Sequence, residues 1–211
     1  MGRIWGVLPA DDYAKAAFFL QNPARPAYVS FATSAHAHGI ARDDEPEHVV
    51  YVRTSDGAVV YGSLQQFSTG HYAKTGDTNP VSRPAFKPQC YAAAGEAPAT
   101  WDGRQVLRLS LRSTCRDADG DPEPFDALYA DPATLQPLGA SGAIQDEGVS
   151  VTLEERFARF GAYVFASSLS AHVTGHGWLF WVRERADVTY ENYAFYERLP
   201  GTIRRQAGAE R

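Results

Sequence analysis

The chain has 211 residues, a formal net charge of -5, 44% hydrophobic and 21% charged residues, a balance that suits one ordinary folded domain and excludes a disordered chain. Its four Trp, eleven Tyr and eleven Phe favour strands. No basic run exceeds Arg204-Arg205, so a duplex-binding role and any nucleic-acid partner are excluded. No apolar run reaches the roughly 18–20 residues of a membrane span. The opening Met1 to Pro9 is too short and interrupted for a signal peptide. The protein is therefore expected either to be cytoplasmic or to begin after a removed export signal.

Asp11 or Asp12 can cap a helix over Tyr13–Leu20, which Pro23 and Pro26 stop. Period-two patterns follow. Tyr28–Thr33 and His48–Thr54 read as strands, Ser55-Asp56-Gly57 as a hairpin turn, and Ala58–Leu64 as the returning strand. Residues 65–99 hold Gly70, Gly76, Pro80, Pro84, Pro88, Gly95 and Pro98 without a sustained period, and read as a long irregular loop. After the turn at Trp101–Arg104, Leu107, Leu109 and Leu111 alternate with Arg108, Ser110 and Arg112. Phe125–Ala130 is another strand, closed by the corner Asp131-Pro132-Ala133-Thr134. Val149, Val151 and Leu153 share a face, as do Tyr163, Phe165, Ser167, Leu169, Ala171 and Val173. Trp178–Phe195 is one long strand or a pair. The expected whole is one domain over 1–211, ordered from about 9 to 199, with a frayed polar tail. It has about eight or nine antiparallel strands and no βαβ unit.

No motif selects a catalytic group. His36 and His38 share a strand face, and His172 and His176 flank Gly175, but no carboxylate or thiol completes a metal set. Asp117–Asp121 resembles a calcium loop only briefly, because the sixth and twelfth positions are Pro122 and Leu128. Neither a G-x-S-x-G elbow nor a phosphate loop is present, and the carboxylates read as lying on wet faces or in turns. No enzyme activity, metal or cofactor is expected. Cys90 and Cys115 could close a loop of about 25 residues worth roughly 3 kcal/mol in the chain-entropy model. They could equally be two buried thiols.

Four features carry a family resemblance: the N-terminal helix leading into Ala27–Phe31; Val50–Gly57, with its Arg and then Asp-Gly; Ala127–Pro137, a strand and an Asp-Pro-x-Thr corner; and the long hairpin ending at Val188–Phe195. In these the chain resembles the LolA-like superfamily of outer-membrane lipoprotein carriers and their relatives, across about residues 9–196. The resemblance implies a mainly β fold. That fold is one strongly curved antiparallel sheet, a half-open barrel, with the helix against its concave face. It also implies a periplasmic or exported carrier whose apolar interior holds a lipid, an acyl chain or an acylated lipoprotein. Alternation selects Phe31, Tyr51, Leu109, Phe165, Leu169, Phe180 and Val182 as the lining, with the helix and the 65–99 segment as cover. The same residues can equally be plain core. The alternative function is a scaffold domain that uses a free sheet edge and the 65–99 loop, without lipid.

Overall fold

The computed structural model describes residues 9–21, 25–38, 44–64, 79–81, 85–116, 120–146, 148–176 and 181–209. Ten antiparallel strands form one sheet: β1 (Tyr28–His38), β2 (Glu45–Arg53), β3 (Val59–Tyr61), β4 (Tyr91–Trp101), β5 (Arg104–Ser113), β6 (Phe125–Ala130), β7 (Pro137–Asp146), β8 (Val149–Phe160), β9 (Tyr163–His176) and β10 (Trp181–Tyr196). The order is β3-β2-β1-β10-β9-β8-β7-β6-β5-β4, so every pairing is between chain neighbours except β1 with β10. β3 and β4 end the sheet without meeting, which leaves the barrel open.

Helix α1 (Pro9–Gln21) is the axis around which the sheet bends. It touches β4 at one edge as well as β7 and β9 further in, and only a curved sheet can present all three to 13 residues. The helix begins earlier than its aspartates suggest. Pro9 opens it, where a missing N–H costs nothing, and Asp11 and Asp12 fall inside its first turn. Tyr13, Ala16 and Ala17 face the sheet and are buried.

Turn chemistry fixes the register. In the β2–β3 hairpin, Arg53 and Asp56 pair at 2.6 Å, and the Asp56 carboxylate also accepts the Ala58 amide. Between β4 and β5, Asp102 and Gly103 both hold positive φ, 51° and 73°, as a two-residue hairpin turn with the strands' own twist requires. At the corner after β6, the Asp131 carboxylate accepts the amides of Thr134 and Ala133 and the Thr134 hydroxyl. Those bonds hold its pKa below the usual carboxylate range.

Three segments differ from the sequence expectation. Residues 91–99, read as loop, belong to edge strand β4, where Gly95 and Pro98 are tolerated because one side of an edge needs no partner. Pro137–Asp146 is strand β7, although PLGASGAIQD has little β propensity. The tail beyond Pro200 forms helix α2 (Gly201–Ala209) rather than fraying. Among the described residues no helix is long and apolar enough to cross a membrane, and no three of His, Cys, Asp and Glu converge as a metal set.

Candidate functional site

The inner face of the sheet is the candidate site. Its floor is apolar: Phe31, Leu109, Leu128, Leu169 and Val173 are fully buried and belong to one cluster with Val29, Val50, Val52 and Val188. Each such Leu or Phe contributes about 1.5–3 kcal/mol by leaving water. Two covers lie on this floor. One is α1. The other is a strap, residues 79–81 and 85–90, which ends in a single 3-10 turn at Pro88–Cys90. Val81 and Phe86 of the strap are as buried as the floor itself.

Phe86 seats in an aromatic box. Its ring stacks on Tyr91 at 5.0 Å and meets the edges of Phe125 at 5.5 Å and Phe157 at 6.2 Å. The strap is tied down by polar contacts to its surroundings. Tyr13 donates to the Pro88 carbonyl, Arg25 Nη1 donates to the Val81 carbonyl at 2.8 Å, and Lys87 pairs with Glu123 at 2.6 Å. A disulfide joins Cys90 to Cys115, with Cα atoms 4.9 Å apart, so of the two cysteine readings the bonded one holds.

One side chain breaks the apolar pattern. Glu155, in β8, stands between Ala140 and Leu169 in register and is 1% exposed. Its Oε2 accepts the Phe86 amide at 2.6 Å, and the Ala85 amide also bonds it. Burial pushes its pKa up to about 8 against the opposing pull of those two amides. The reading that carboxylates sit on wet faces is therefore corrected at Glu155, and also at Glu123, which is buried beside Lys87. Parity could have found Glu155, because Val149, Val151, Leu153, Glu155 and Phe157 share one face of β8.

A groove opens to solvent beside α1. Ala14, Lys15, Phe18, Phe19, Thr134 and Leu135 line a groove of about 470 Å³. Leu135 is buried and part of the core, Phe19 packs against that core, and Phe18 is 57% exposed. Leu135 holds φ at +59°, a conformation costing a leucine about 1 kcal/mol or more. The groove runs alongside the helix rather than enclosed beneath it.

The expected lining residues divide. Phe31 and Phe165 both pack on Tyr193, at 5.5 and 5.1 Å, and Leu109 and Leu169 lie in the same core. Tyr51 stands on the opposite face. It alternates with the buried Val50 and Val52, lies across from Ser30, and packs on Tyr61 and Tyr196. Phe180 lies outside the described residues. Val182 is described as a backbone position of β10 opposite Gly175.

The outer face of the same strands is polar. Thr152, Glu154, Arg156, Ser168, Ser170, His172, Arg185 and Asp187 line an open trough of about 660 Å³. Its charges are paired among themselves: Arg156 with Glu154 and Asp102, each at 2.8 Å, and Arg185 with Asp187 at 2.6 Å.

An open antiparallel sheet folded over one helix, apolar inside and polar outside, defines the class. No family model matches the sequence, and no curated protein matches it. Among solved structures, a LolA superfamily protein from Nitrosomonas europaea is similar at 13% identity, over 94% of this chain and 97% of that one, with a TM-score of 0.47. A domain assigned to outer membrane lipoprotein sorting from Vibrio parahaemolyticus shares 10% identity over 94% and 100%, also with a TM-score of 0.47. A DUF1329 family protein from Desulfovibrio piger shares 11% over 92% and 96%, with a TM-score of 0.40.

Proposed function

We propose that the protein is a non-enzymatic binding protein of the cell envelope, whose apolar interior accepts the acyl chain of a lipid or lipoprotein when α1 and the strap move aside. The observation that carries this reading is the groove beside α1. There Phe19 and Leu135 belong to the core, while Phe18 stands in solvent as an apolar step into it. An acyl chain gains about 0.8 kcal/mol per methylene on leaving water, and the groove has the size of an ordinary ligand site. The Cys90–Cys115 disulfide supports an oxidising compartment, periplasmic or exported, over the cytoplasm.

A pyrene-labelled acyl lipid is expected to bind the purified protein at micromolar concentration. Phe18→Glu changes only an exposed residue, so the fold should persist while binding weakens at least tenfold. Absence of binding at 100-fold higher lipid concentration would remove the carrier reading. A scaffold role is the second reading, and one observation favours it: among the described residues β4 pairs on only one side along Tyr91–Trp101, leaving an edge that an extended peptide could join.

A further inference from the structure

We propose that Glu155 is a ligand-binding group, the anchor for the ammonium of an aliphatic amine whose tail takes the apolar interior, and that the 85–86 backbone holds its place until such a ligand arrives. The inference rests on the carrier reading above and names the chemistry of the head group.

Glu155 is the fully buried carboxylate of the inner face. Among the described residues no Lys, Arg or His pairs with it, and the groups that act on it are the Phe86 and Ala85 amides. Two tyrosines face it, Tyr91 from β4 and Tyr193 from β10, and burial keeps both of them neutral. Leu169 and Ala140 flank it. The fold alone gains nothing from an acid here. A glutamine carbonyl would accept the same two amides without the desolvation cost of a buried ionisable group. What an acid adds is the capacity to become an anion, and a buried anion needs a cation. The site lacks one positive charge, and a ligand can supply it.

The chemistry narrows the ligand. A fatty carboxylate or a phosphate brings no positive charge to pair with an ionised Glu155, and an alcohol would bond an acid and an amide about equally. An alkylammonium distinguishes them. On binding, the carboxyl proton leaves to solvent and the carboxylate pairs with the incoming ammonium. Phe86 leaves its box, and the tail replaces its ring against Tyr91, Phe125 and Phe157.

Three probes with one tail test this below their micellar concentrations: dodecylammonium, dodecanol and dodecanoate, each followed by calorimetry and by displacement of the pyrene lipid. Dodecylammonium should bind at least tenfold tighter than dodecanol, and dodecanoate should bind weakest. The affinity for dodecylammonium should rise at least tenfold between pH 6 and pH 8, while that for dodecanol stays flat. In Glu155→Gln the preference for the amine should disappear and dodecanol binding should remain, which also reports that the variant is folded. Equal binding of amine and alcohol by the native protein, or a preference that survives in Glu155→Gln, would overturn the assignment. Should that variant not fold, a flat pH profile for amine binding by the native chain does the same. Failure of all three probes to bind would instead strike the carrier reading itself.

Discussion

Glu154 and Glu155 are neighbours in β8 and occupy opposite environments. Glu154 points into the outer trough and bonds Arg156, which also reaches Asp102. Glu155 points inward, meets no cation among the described residues, and is held by backbone amides of the strap. A single step along a strand reverses the face, and with it the solvent. The outer face has its charges already matched, as a wetted surface does. On the inner face, Glu155 has no such match among the described residues. That imbalance, rather than the number of charges, is what the proposed ligand role rests on.

The comparison breaks hardest at Leu169. Leu169→Glu would set a second carboxylate directly opposite Glu155 in a site 1% exposed. The expected loss exceeds about 4 kcal/mol, enough to unfold most of the protein, read as loss of the cooperative urea transition. Leu169 is one of the residues that alternation selected as lining. Its burial makes it structural, and Phe18 is the better probe of binding.

The next effect is in pH. Glu155 has its folded pKa raised from 4.5 to about 8. Its contribution is therefore fully present below about pH 4.5 and is lost as pH rises through about 8. Urea midpoints of the native chain should fall over that window. Glu155→Gln should flatten this part of the slope. A slope that persists in Glu155→Gln would show that another group carries it. The smallest effect belongs to the outer face. Arg156→Ala removes a half-exposed network and should cost less than about 1 kcal/mol, shrinking further in high salt.

Local chemistry made much of the fold legible. β6 matches its expected bounds because Pro124 precedes it and Asp131-Pro132 closes it, and the Arg53–Asp56 turn appears where Asp-Gly placed it. β7 was hidden because glycine, alanine and serine leave no alternation to read, although a strand between two neighbours gets its hydrogen bonds whatever its side chains. β4 was hidden by Gly95 and by Pro98, a residue that an edge strand can hold. The LolA-like resemblance gave the sheet and helix together, something that period alone could not. At the site, alternation found Phe31, Leu109, Phe165 and Leu169 but could not tell which face of β2 turns inward, so Tyr51 was grouped with them. The seat of Phe86 was out of reach, because two of its ring partners, Phe125 and Phe157, lie on strands distant in sequence.

The disulfide at Cys90 has a kinetic meaning as well as a structural one. Phe86 lies only four residues from that bond, so once displaced it cannot diffuse away from its box. It remains a tethered competitor, at an effective concentration on the order of millimolar for so short a connection. Any occupant of the box is opposed at all times by a resident that needs no encounter to return. On the proposed carrier reading, release of a ligand would then be an intramolecular exchange, whose rate does not depend on how much protein is present.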